Sequence, residues 1–196
     1  MSPHHLLYLH GFRSSPQSAK ARRMAQWARE HAPKLTWWCP QLPPSPREAV
    51  ALLTHGVSRW PRERTAIVGS SLGGFYATVM AERLGCKAVL INPAVDPARD
   101  LARHIGETTA WHSDERFFFR PEYVDELRDM TPGVLAHPDD YFVIIATGDE
   151  VLDWREMSER YRGCHLRIVE GSDHALTDFD EHLPHLLHFL ELGSSP

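Results

Sequence analysis

The sequence is poor in cysteine, with three among 196 residues: Cys39, Cys86 and Cys164, odd in number and far apart. No C-x-x-C pair and no Cys/His zinc spacing occurs, so neither a disulfide framework nor a structural zinc site is expected. Each cysteine lies in or beside an apolar run, which reads as a buried, reduced thiol of a cytoplasmic protein. No stretch approaches the roughly 20 apolar residues of a membrane-spanning helix. The chain enters a strand-like run by His5 without a basic segment and an apolar core ahead of it, so no signal peptide is expected. Basic residues form no patch: the formal net charge is −5 and arginines alternate with acids, which argues against nucleic acid as a partner. Internal repeats and low-complexity segments are absent too. What remains is one globular domain over residues 1–196, long enough to bury a real core.

Short apolar runs alternate with helical patterns along most of the chain. Leu6–Leu9, Leu35–Cys39, Thr65–Val68, Lys87–Ile91, Tyr141–Ala146 and His165–Val169 read as strands, and their continuous apolar character suits a parallel sheet covered on both faces. Between them, Met24, Trp27, Ala28 and His31 fall at helical spacing, with Ser14-Ser15-Pro16 offering a cap and a first-turn proline. Ser45-Pro46-Arg47-Glu48 carries the same signal with a capping-box glutamate. Gly85 closes a helix over about 72–84, and Asp153 looks like the N-cap of another reaching Tyr161. A last helix covers about 180–192, and 193–196 read as a frayed tail. Residues 94–140 break the rhythm. They are charged and aromatic, with Trp111, Phe117, Phe118, Phe119 and Tyr123, and show no clear strand; a stretch of that length should hold helices of its own.

The most informative segment is Gly69-Ser70-Ser71-Leu72-Gly73, where Gly-x-Ser-x-Gly joins a predicted strand to a predicted helix. That layout lifts a serine hydroxyl above the end of a sheet. Three more turns follow strands directly: His10-Gly11-Phe12, Thr147-Gly148-Asp149 and Gly171-Ser172-Asp173-His174. In an open α/β sheet such turns meet at one edge. Serine, aspartate and histidine then follow one another in the chain order of α/β-hydrolases.

A serine hydroxyl needs an adjacent imidazole to take its proton, and His174 is the candidate base for Ser71. Asp149 is favoured as the acid that orients the imidazole, with Asp153 the alternative and Asp173 expected to point away. The backbone N–H groups of Leu72, opening its helix, and of Phe12 are the candidate oxyanion donors. His10 reads as a brace for its loop. His182, His185 and His188 have a spacing seen in metal ligands, but no carboxylate or cysteine completes a site, and a solvated helix face is the expectation.

Several further segments carry a family resemblance: Leu7-Tyr8-Leu9-His10-Gly11-Phe12, Ser-Ser-Pro at 14–16, Pro-Gln-Leu-Pro-Pro at 40–44, Gly-Ser-Ser-Leu-Gly-Gly at 69–74, Asn-Pro-Ala at 92–94, Thr-Gly-Asp-Glu-Val-Leu-Asp at 147–153 and His174-Ala175. With them the chain resembles small α/β-hydrolases of the YqiA-type esterase family over nearly its whole length. The resemblance implies a three-layer α/β-hydrolase fold with six strands in the order 2-1-3-4-5-6, so that Phe12 and Ser71 end adjacent strands. It implies hydrolysis of carboxylic esters, with acyl thioesters as a further class, without cofactor or metal. Its pattern agrees with Ser71 as nucleophile, Asp149 as acid and His174 as base. Gly-Ser-Asp-His at 171–174 departs from the Gly-Gly-Asn-His of the pattern, and 95–140 match it poorly. Residues 94–140 are therefore expected to form a lid-like insertion that selects the substrate, a small acyl ester or thioester. The competing expectation is a binding or interaction protein that keeps the hydrolase scaffold without its chemistry.

Overall fold

The computed structural model describes residues 2–109 and 116–193. The strands are β1 (His5–Leu9), β2 (Thr36–Trp38), β3 (Thr65–Ser70), β4 (Lys87–Ile91), β5 (Gly106–Thr109), β6 (Arg116–Phe119), β7 (Tyr141–Ala146) and β8 (His165–Val169). Six of them form one sheet in the order β2-β1-β3-β4-β7-β8, and every pairing in it is parallel. Counted without β5 and β6, this is the order 2-1-3-4-5-6 of an α/β-hydrolase core. The α-helices of the described residues are α1 (Ala19–His31), α2 (Pro46–Gly56), α3 (Leu72–Leu84), α4 (Pro97–Leu101), α5 (Pro121–Met130), α6 (Trp154–Arg160) and α7 (Phe179–Phe189), with three short 3-10 turns besides.

Apolar residues on both faces of each central strand explain the layering. Leu6, Tyr8, Val68, Val89 and Ile144 pack with α1 and α7, through Met24, Trp27, Leu183 and Leu186. Their neighbours Leu7, Leu9, Ile67, Leu90 and Val143 turn the other way, toward α2 and α3. Each such side chain removed from water contributes about 1.5–3 kcal/mol, so both faces must stay covered. The edge strand β8 has only exposed and intermediate positions, whereas central strands β1 and β4 are half-exposed only at their first residues, His5 and Lys87.

Side chains cap the starts of α2, α4 and α6. The Ser45 hydroxyl accepts from the Glu48 N–H at 3.2 Å with Pro46 in the first turn, and Asp153 accepts from Arg155 N–H at 2.9 Å to cap α6. At α1 the expected start at Ser15-Pro16 is displaced. Ser15 is used in a turn, accepting from Gln17 N–H at 3.1 Å and from Ser18 N–H through its carbonyl, and the helix begins at Ala19.

Residues 94–140 hold α4 and α5, as their length required, and also the antiparallel pair β5·β6, which the pattern did not disclose. Phe119 is buried, with its ring 5.3 Å from that of Phe12 and 5.5 Å from that of Tyr123, whereas Phe118 is exposed. Trp111, the Phe117 side chain and the tail beyond Gly193 lie outside the described residues.

Candidate active site

Ser71 stands between β3 and α3 with φ 57° and ψ −123°, outside the ordinary range of an L residue. Two close approaches hold it there. A Cβ on Gly69 would lie 2.1 Å from the Gly73 carbonyl oxygen, and one on Gly73 would lie 2.0 Å from that of Leu9. Glycine at both positions is what lets strand, turn and helix touch. The Ser71 N–H donates to Ile91 O at 3.0 Å, and its carbonyl accepts from Gly74 at 2.8 Å and Ala94 at 3.1 Å. The turn is thus tied to β4 and to the chain beyond it.

His174 reaches this turn from the loop after β8. Its Nε2 lies 3.0 Å from Ser71 Oγ, and its Nδ1 lies 2.7 Å from Asp149 Oδ2. A carboxylate can only accept, so Nδ1 carries the hydrogen and Nε2 is left to accept from the serine hydroxyl. The Asp149 side chain is fully enclosed, and its other oxygen accepts from the N–H groups of Val151 and Leu152, each at 2.8 Å. These bonds fix the carboxylate's orientation before any ligand arrives. Asp153, the alternative, is spent on the cap of α6. Asp173 accepts from Thr177 through both N–H and hydroxyl, turned to its own loop.

The other predicted positions surround Ser71. Leu72 is the first residue of α3, so its N–H has no acceptor within the helix. Phe12 ends the turn after β1, whose Gly11 backs directly onto Ser71: a Cβ there would stand 3.2 Å from the serine Cβ. His10 is buried. Its Nε2 accepts from Leu42 N–H at 3.1 Å, so Nδ1 is the protonated nitrogen facing Gly11 O at 2.9 Å. Burial holds its pKa below the usual histidine value. This histidine ties the β1 turn to the proline-rich loop at 40–44.

The profile of the family described as Uncharacterised protein family (UPF0227) matches residues 5–191. The chain belongs to that family. It is the one to which the YqiA-type motifs pointed. Solved structures of similar fold include a candidate hydrolase from Agrobacterium vitis S4, with TM-score 0.75, 16% identity, and 97% of this chain and 91% of that one covered. Mouse alpha/beta hydrolase domain-containing protein 10 matches with TM-score 0.68 and 14% identity over 95% and 88% of the two chains. An esterase of Pyrococcus furiosus gives TM-score 0.65 and 15% identity over 97% and 81%. These likenesses establish the α/β-hydrolase fold of the chain.

An open groove of about 1320 Å³ runs past Ser71 and His174. Ala94, Leu101 and Leu152 line it on the α4 side, and Lys20, Arg22 and Arg29 on the α1 side. Cys39 also faces it, but burial pushes that thiol up to about 12, which keeps it in the neutral form. Lys20 is partly enclosed: burial brings its ammonium down to about 8 against the opposing charge of Asp173. No group of three or more potential metal ligands occurs among the described residues. His182 corrects the solvated-face expectation: it is buried, with Arg167 Nε donating to its Nδ1 at 3.1 Å and Asp178 Oδ2 3.2 Å from its Nε2. Burial opposes ionisation of Asp178, but hydrogen bonds from Ser172 and His182 outweigh it and keep its pKa low.

Three groups that hold the His174 loop were given no role from the sequence, although Asn92 and Glu150 lie in the segments that carry the family resemblance. Glu150 Oε2 accepts from the His174 N–H at 2.9 Å, Lys20 donates to Ala175 O, and Asn92 binds two further carbonyls. Glu150 lies beside Asp149, but Lys20 is a helix residue with nothing local to mark it.

Proposed function

We propose that this chain is a serine esterase, cleaving carboxylic esters, with acyl thioesters as a second class, through an acyl-enzyme intermediate. The observation that carries the reading is the unbroken line from Asp149 through His174 to Ser71, with the serine held in a strained turn at the carboxyl edge of the sheet. A binding scaffold has no need of a hydroxyl kept 3.0 Å from Nε2 of an imidazole whose Nδ1 faces a carboxylate.

In this mechanism the Ser71 oxygen attacks the ester carbonyl carbon while His174 Nε2 takes the hydroxyl proton. Asp149 stabilises the imidazolium so formed. The carbonyl oxygen becomes an oxyanion, received by the N–H groups of Phe12 and Leu72; one such donor is worth about 10²–10³ in rate. Collapse breaks the bond to the leaving oxygen or sulfur, and the imidazolium returns the proton to it. Water then repeats the sequence: His174 removes its proton, the hydroxide adds to the acyl carbon, and Ser71 leaves reprotonated.

Residues 94–140 form, on this reading, a lid-like insertion in a single domain. Support comes from this segment's place in the groove lining, where Ala94, Pro97 and Leu101 offer apolar contacts beside the charged Asp100 and Arg103. The three cysteines are unpaired, which favours a reducing, cytoplasmic setting. The decisive experiment exposes the protein and its Ser71→Ala variant to a fluorophosphonate. Labelling of the wild type alone is expected; equal labelling of both, or of neither, leaves the fold as a binding scaffold.

A further inference from the structure

Asn92 follows directly on β4 and is completely buried. Its backbone is left-handed, φ 41°, a conformation that asparagine tolerates better than most residues. Every polar group of its carboxamide is used. Oδ1 accepts from the Ala146 N–H at 2.8 Å, and Nδ2 donates to the carbonyl oxygens of Asp173 and His174, each at 3.0 Å. The amide orientation follows from its partners: an N–H can face only Oδ1, and two carbonyls can face only Nδ2. The Asn92 N–H adds a bond to Ile144 O at 2.9 Å.

These bonds join the two pieces whose relative position decides the site. Ala146 ends β7, and its carbonyl accepts from the Asp149 N–H at 3.3 Å, so the strand end leads straight into the acid. Asp173 and His174 carry the base. Asn92 therefore sets the imidazole against the carboxylate from behind, without touching the groove contacts of Ser71. Glu150 and Lys20 grip the same loop, but Glu150 is exposed and Lys20 only partly enclosed, where water competes for their bonds. The buried amide has no such competitor.

We infer that Asn92 is a positioning residue for the proposed base. The inference rests on the reading of Ser71, His174 and Asp149 as the reacting set. Asn92→Asp keeps the size and the acceptor for Ala146 but turns a carboxyl group toward two carbonyls. Asn92→Gly keeps the left-handed backbone available and removes all three side-chain bonds. A displacement of 1 Å at a reacting group costs about 10²-fold, which is the loss of kcat expected, with KM nearly unchanged.

Both variants are to be compared with the wild type by near-ultraviolet circular dichroism, by kcat and KM on a short-chain nitrophenyl ester across pH, and by the downfield proton resonance of His174 Nδ1–H. Support is a native spectrum in at least one variant, with kcat lowered about 100-fold, a displaced acidic limb of kcat/KM and a shifted or lost Nδ1–H resonance. An unchanged resonance and pH profile overturn the inference, as does a kcat loss no larger than the fraction of protein unfolded. The resonance needs no turnover. If Ser71→Ala remains active, the esterase reading fails; if the Asn92 variants keep the wild-type resonance, only the inference about Asn92 does.

Discussion

Gly11 and Ser71 face one another across the switch between β1 and β3, so close that a Cβ on Gly11 would stand 3.2 Å from the serine Cβ and 3.7 Å from its Oγ. The added methyl of Gly11→Ala would stand beside the hydroxyl, and the serine would have to give by a few tenths of an ångström. Rate is expected to fall by about 10-fold or more, a fraction of the loss for a full 1 Å misplacement, while stability changes little. Fluorophosphonate labelling rates beside urea midpoints separate the two effects.

The Gly73–Leu9 approach is of another kind, because the colliding atom is backbone. A Cβ 2.0 Å from the Leu9 carbonyl oxygen cannot be relieved by a rotamer change. Gly73→Ala should therefore cost at least about 4 kcal/mol, the range of severe single-residue effects. Urea unfolding, or failure to accumulate as soluble protein, reads this out; a midpoint within experimental error of the wild type would contradict it.

Asp149 and Asp153 should separate cleanly by substitution. Asp149→Asn retains size but no longer selects the Nδ1–H tautomer, so kcat should drop by about 10⁴-fold if the site works as proposed. Asp153→Ala should lose only the cap of α6, about 1 kcal/mol of stability, with near-normal turnover. Paired measurements of kcat and thermal midpoint test this, and the reverse pattern would assign the acid to Asp153.

His10 makes stability pH-dependent in a definite direction. Its folded pKa lies below 6.5 because it is buried, so in acid the unfolded chain takes up a proton that the folded one refuses. The resulting loss of stability sets in as pH falls through 6.5 and continues to the lower folded pKa. His10→Gln should flatten the decline that sets in below about pH 6.5, seen as a smaller spread of urea midpoints. An equal spread in both proteins would refute the assignment.

Local steric rules made much of this molecule legible. The glycines at 69 and 73, the β-branched run before them and the helical pattern after them specify a strand, a sharp turn and a helix within ten residues. Continuous apolar runs marked the covered strands, because β3, buried at every position, has no polar face to show. The cap of α6 at Asp153 was visible for the same reason: its partner Arg155 is two residues away.

Other features escaped because their causes are distant in the chain. Asn92 looks like a strand terminator before Pro93, yet its side-chain partners are 54, 81 and 82 residues further on. Histidine on a helix reads as solvent-facing, but α7 turns His182 inward to meet Arg167 of β8. The pair β5·β6 joins Gly-Glu-Thr-Thr, which has no apolar pattern, to a run of three phenylalanines too short to mark a strand, so only their antiparallel register exposes it.

By itself the sequence determined the alternating strands and helices, the strained turn at Ser71 and the strand ends that carry Asp149 and His174, because sterics and burial act over a few residues. Tertiary structure decided between the favoured Asp149 and its alternative Asp153 as the partner of the imidazole, and it alone decided what holds the histidine loop behind it. Those outcomes depend on β3, β4, β7 and β8 lying side by side, which brings Ser71 within 3.0 Å of a histidine 103 residues away.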